Sequence, residues 1–109
     1  MENREDQNAV FPWEGRIVIA MNLPFEVSPT QLRDFLISKG KILRVDIEKD
    51  RHGDANGMAF IEFNSSADAE SALQLNGQQF GGRKFMCKIS DNPPPELIRY
   101  YIRDPMYRP

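Results

Sequence analysis

Hydrophobic and polar positions alternate with a period of two in some stretches of this chain and with a helical period in others. The clearest alternation is Asn56-Gly57-Met58-Ala59-Phe60-Ile61-Glu62-Phe63. In a strand, successive side chains point to opposite faces, so Ala59, Ile61 and Phe63 share one face and Met58, Phe60 and Glu62 the other. The first face reads as core. The second carries a ring, which either lies under another element or is open to stack a planar group.

Around this strand the elements follow in order. Arg16-Ile17-Val18-Ile19-Ala20-Met21 is β-branched and bounded by Gly15 and by Asn22-Leu23-Pro24, which predicts a strand with Val18 and Ala20 inward. Ser28-Pro29-Thr30-Gln31 predicts a helix start, with Ser28 as cap, Pro29 in the first helical position and Gln31 bonding back. Leu32, Phe35 and Leu36 give the buried stripe, and Gly40 is expected to end the helix as a left-handed cap.

Ile42 to Glu48 predicts a second strand with Val45 and Ile47 inward and Arg44, Asp46 and Glu48 outward. Lys49 to Gly57 reads as a turn-rich hairpin loop, in which His52 is a solvated residue. After the third strand, Ser65 or Ser66 caps a helix whose buried stripe is Ala69, Ala72 and Leu73. Asn76-Gly77 stops it, Phe80-Gly81-Gly82 turns the chain, and Arg83 to Ser90 is expected to be a fourth strand with Phe85, Cys87 and Ile89 inward and Lys84, Met86 and Lys88 outward. This order implies an α+β, ferredoxin-like split-βαβ sandwich (βαββαβ): a four-stranded antiparallel sheet with both helices on one face and the other face available.

The flanks differ. Residues 1–14 are expected to form a flexible segment, within which Val10-Phe11-Pro12-Trp13 either packs on the domain edge or meets a partner. The domain itself is placed at 15–90, and 91–109 is a proline-rich linker with a short helical extension. There Pro93, Pro94 and Pro95 precede a stripe of Leu97, Ile98, Tyr101 and Ile102, with Arg99, Tyr100 and Arg103 on the opposite side and Tyr107 beyond. A helix so short is stable only when docked.

Composition narrows the function. A chain of 109 residues fits one domain. The formal charge of −2 is no general polyanion footprint, but the excess of acids over bases lies in residues 1–14, leaving the 15–90 body close to neutral. With a single cysteine, Cys87, and a single histidine, His52, neither an internal disulfide nor an ordinary zinc site is expected, and a reducing, intracellular compartment is. No apolar run reaches the roughly 18 residues of a membrane span, and the acidic start is unlike a signal sequence, so a soluble protein without membrane association is expected. Nothing has the spacing of a catalytic constellation or a phosphate loop, so neither enzymatic activity nor a cofactor or metal is expected.

Over about residues 15–90 the chain resembles the RNA recognition motif family. The family's longer motif is similar to Asn56 to Phe63, and its shorter one to Val18-Ile19-Ala20-Met21-Asn22-Leu23, ending in Asn-Leu-Pro. The resemblance implies single-stranded RNA as ligand, with aromatic side chains on the two central strands stacking bases. The corresponding positions here are Ile19, Met58 and Phe60, so one ring remains, and the basic residue that opens the motif is Asn56. The expected RNA-binding set is Ile19, Met21, Arg44, Arg51, Asn56, Met58, Phe60, Lys84, Met86 and Lys88, with Arg99, Tyr100 and Arg103 as an extension. A second reading of the same apolar face is a protein-interaction surface, occupied by the chain's own Leu97–Ile102 stripe or by a partner.

Overall fold

The computed structural model describes residues 14–90. The elements are β1 (Ile17–Met21), α1 (Pro29–Leu36), β2 (Ile42–Lys49), β3 (Ala55–Phe63), α2 (Ser66–Ala72), β4 (Gln79–Phe80), β5 (Arg83–Lys84) and β6 (Met86–Ile89). Four of the strands form one antiparallel sheet in the order β2-β3-β1-β6, and β4 and β5 make a separate two-stranded ribbon. Of the flanking segments expected at 1–14 and 91–109, all but Glu14 lie outside the described residues, including the helix of Leu97, Ile98, Tyr101 and Ile102.

Local chemistry sets the helix starts. Ser28 Oγ accepts the Gln31 amide at 3.1 Å while Gln31 Oε1 accepts the Ser28 amide at 2.9 Å, a complete capping box with Pro29 behind it. Ser65, rather than Ser66, caps α2 by accepting the Asp68 amide at 3.1 Å. Each helix finishes in a turn of 3-10 helix, Ile37–Lys39 and Leu73–Leu75.

Both helices bury their stripes on the same side of the sheet. Leu32, Leu36, Ala69, Ala72 and Leu75 meet Val18, Ala20, Ala59, Ile61, Phe63, Phe85 and Cys87 there. At about 1.5–3 kcal/mol for each large apolar side chain removed from water, this layer supplies most of the driving force for folding.

Three expected details are corrected. Gly40 is not a left-handed cap: its φ of 166° is extended backbone. The position needs glycine because a Cβ there would lie 2.4 Å from Asp68 Cβ. Asp68 occupies that space to accept the Lys41 amide on Oδ2 at 3.2 Å, tying the end of one helical segment to the start of the other. Gly40→Ala is therefore expected to cost roughly 1–3 kcal/mol through overpacking. Thermal melting should show a drop of several degrees at a minimum; an unchanged melting temperature would mean that the two segments part freely.

The β2–β3 connection is shorter than the sequence suggested. Lys49 pairs with Ala55, leaving residues 50–54 as the loop. Asp50 organises it: Oδ1 accepts the amides of His52 at 2.8 Å and Asp54 at 3.0 Å, while the Asp50 amide donates to the Asp54 carbonyl at 2.8 Å.

The expected fourth strand is broken at Phe85. Its amide donates to Gln78 O at 2.7 Å and its carbonyl accepts from Gly77 N–H at 2.6 Å, so residue 85 pairs with the chain ahead of β4 instead of with the sheet. Lys84 accordingly belongs to the ribbon, opposite Gln79, and β6 begins at Met86.

Candidate nucleic-acid interface

The sheet face turned away from the helices is built by cross-strand register. Phe60 on β3 sits directly opposite Ile19 on β1 and Asp46 on β2. Across β1, Ile19 faces Lys88 and Met21 faces Met86 on β6. Directly opposed residues in an antiparallel pair share a face and touch. The centre of the face is thus a phenyl ring beside an aliphatic side chain, with two methionines to one side and a lysine at the edge. Phe60, Ile19, Met21 and Met58 are half-buried, and Met86 and Lys88 are exposed.

One end of the face is closed. Ile17, opposite Glu62, is fully buried, and Glu62 is 3% exposed although it lies on the outward side of β3. Arg16 Nη2 approaches Glu62 Oε2 at 3.3 Å. Arg44, directly opposite Glu62, holds both carboxylate oxygens of Asp46 from Nη2, at 3.1 and 3.0 Å. The cation expected from Arg44 is therefore shared with acids, and Lys88 stands in register with the ring, one strand beyond Ile19.

Burial pushes the Glu62 carboxyl above its ordinary value of 4.5; the Arg16 and Arg44 charges pull it back and Asp46 adds to the rise. The native state then holds this proton more tightly than the unfolded chain does. The group's contribution to stability is complete below the ordinary carboxylate value and is lost as pH rises through the raised one. Denaturation of the wild type and Glu62→Gln from pH 4 to pH 7 should show the wild type losing stability relative to the variant as pH increases. A difference constant with pH would overturn this assignment.

The remaining predicted residues are placed as follows. Arg51 is exposed in the 50–54 loop, and Asn56, also exposed, turns its Oδ1 onto the Met58 amide at 3.2 Å. Lys84 is exposed on the ribbon, its carbonyl accepting from Asn22 Nδ2 at 2.9 Å. Arg99, Tyr100 and Arg103 lie outside the described residues.

Two features escaped the sequence reading. Asn22 takes a left-handed backbone, φ 60°, at the end of β1, where its side chain binds the ribbon: besides the Lys84 carbonyl, its Oδ1 accepts from Arg83 Nη2 at 2.6 Å. Phe25, 67% exposed, stands at the rim beside Asp50, Asp54, Ala55 and Asn56, around a hollow of about 610 Å³. An isolated ring between Pro24 and Glu26 was its signal. The backbone there is fixed by Leu23 N–H donating to Gly57 O at 3.0 Å, and Gly57, with φ 88°, makes that approach. Among the described residues no cluster of three or more His, Cys, Asp or Glu could hold a metal ion, and no helix is long and apolar enough to cross a membrane.

A helix-backed antiparallel sheet with β1 and β3 central is the ferredoxin-like arrangement, a fold many families share, so the sequence has to decide among them. The chain belongs to the RNA recognition motif family, whose sequence profile matches residues 18–86. It is 35% identical over 94 residues to the serine/arginine (SR)-type shuttling mRNA binding protein HRB1 of Saccharomyces cerevisiae, covering 85% of this chain and 18% of that protein. It is 33% identical, also over 94 residues, to the heterogeneous nuclear ribonucleoprotein Q of Arabidopsis thaliana, covering 83% and 19%. The chain thus spans about a fifth of the length of these relatives. Among solved structures it is similar to the Rna15 RRM with bound RNA (GU), at a TM-score of 0.65 and 28% identity, over 80% of this chain and 96% of that one.

Proposed function

We propose that this chain is a single-stranded RNA-binding module, acting in RNA processing or regulation within a ribonucleoprotein, and that it grips RNA on the open part of its sheet. The observation that carries this is the half-exposed Phe60 ring at the centre of a face that no helix covers among the described residues, with Ile19 opposite it and Lys88 one strand further. A base stacks on the ring, Met21, Met58 and Met86 give apolar contact to its neighbours, and Lys88 meets a phosphate. Arg51 and Lys84 are the further cations on this proposed path, and Asn56 borders it. The relatives, named for mRNA binding and ribonucleoprotein membership, support the same ligand class.

The binding is weak in isolation. Each stacked base is worth about 1–3 kcal/mol, and Ile19 and Met58 stand where the family's other rings would be. Few phosphate contacts also predict a shallow dependence on salt. No catalytic role is proposed, and the single buried thiol of Cys87 fits an intracellular setting.

The test is a titration of the full chain with short single-stranded RNAs, followed by amide chemical shifts. Saturable changes at Ile19, Met58, Phe60 and Lys88 are expected; silence at millimolar RNA would overturn the reading. One observation favours the protein-interaction alternative: the burial of Ile17 and Glu62 narrows the open face at one end. Silence toward RNA would leave that alternative standing.

A further inference from the structure

The open sheet face keeps an acid beside its ring. Asp46 on β2 is directly opposite Phe60 on β3, so the carboxylate shares the outward side with the phenyl group and stands next to it. A carboxylate repels phosphate, so this position does not serve the backbone of a nucleic acid. It serves a base laid on the ring, whose edge carries hydrogen-bond donors.

The carboxylate is held in place and remains accessible. Arg44 Nη2 donates to Oδ1 at 3.1 Å and to Oδ2 at 3.0 Å. The two oxygens of a carboxylate offer about four lone-pair positions, so each oxygen keeps room for a further donor. The Asp46 side chain is 36% exposed, against 3% for Glu62, the outward acid two residues from Phe60. Of these two acids, Asp46 is the one a ligand reaches.

A pair of acceptor oxygens discriminates among the bases. Guanine presents two adjacent donors, N1–H and the N2 amino group, spaced to meet both oxygens of one carboxylate, and such paired charge-assisted bonds are the strong ones. Adenine and cytosine each present one amino group beside an acceptor nitrogen. Uracil presents N3–H between two carbonyl oxygens, which a carboxylate repels.

Resting on the RNA-binding reading given above, we propose that Asp46 makes the Phe60 position selective for guanine. The base stacks on the ring, and its N1–H and N2 amino group donate to the two oxygens of Asp46.

The test titrates the full chain with uridine pentamers carrying guanosine, inosine, adenosine, cytidine or uridine at the centre, following the amides of Asp46 and Phe60. The guanosine oligomer is expected to bind at least about tenfold more tightly than the all-uridine one, as a bidentate contact to a base edge discriminates. Inosine, which keeps N1–H and lacks the amino group, should fall between them. Asp46→Asn and Asp46→Ala should each bring the guanosine and uridine affinities together. Equal binding of the oligomers by the wild type, still lost in Phe60→Ala, overturns this proposal and leaves the RNA reading standing. A preference for another base overturns it, as does a guanosine preference that survives Asp46→Asn. Silence toward every oligomer overturns the RNA reading and this proposal with it.

Discussion

Phe60→Ala removes measurable binding of single-stranded RNA while leaving the domain folded. Loss of one stacking platform is worth about 1–3 kcal/mol, or roughly five- to more than a hundredfold in the dissociation constant. In a sheet with aromatic residues at all three positions the remaining rings would cushion that loss. Here Ile19 directly faces Phe60, and Met58 is the next outward residue on β3, so no second ring remains at these positions. Stability survives because Phe60 is outside the helix-side core. Phe60→Tyr should bind within a few-fold of wild type, and Lys88→Glu should weaken binding less than Phe60→Ala does. The check is a titration of all three variants against one short RNA with melting curves alongside; full-strength binding by Phe60→Ala would show that the ring does not stack.

The scaffold was legible because its signals are local. The alternation from Met58 to Phe63, the Ser28–Gln31 capping box and the Leu32-Phe35-Leu36 stripe each depend on residues within a turn or a strand of one another. The details that had to be corrected depend on partners far away in sequence. Gly40 carries no mark of Asp68, and nothing in Arg83 to Ser90 announces that Phe85 will bond to Gln78 and Gly77. The face itself was half-readable. Period two put Arg44, Asp46, Phe60 and Glu62 on one side, but that Arg44 would hold Asp46, and that Glu62 would be buried, follows from the pairing of β2 with β3. Pattern assigns a side chain to a face; register decides what it can do there.

The same distinction makes Phe85→Ala a strongly damaging substitution. Phe60 and Phe85 are both phenylalanines near the sheet, but Phe85 is fully buried on the helix side, where it touches Phe35 of α1 and Phe80 of the ribbon. Its main chain also joins the ribbon segment at Gln78 and Gly77 just before β6 enters the sheet. Truncation leaves a cavity at the meeting point of three elements, and such losses cost about 3–5 kcal/mol. Against a total of about 5–15 kcal/mol for a domain, that brings the chain close to unfolding at physiological temperature. Urea denaturation should show a midpoint shifted far down with the slope unchanged, the mark of lost stability rather than of an altered unfolded state. Phe85→Leu, which keeps most of the volume, should lose much less. Equal stability of Phe85→Ala and wild type would mean that the ribbon and α1 do not depend on this ring.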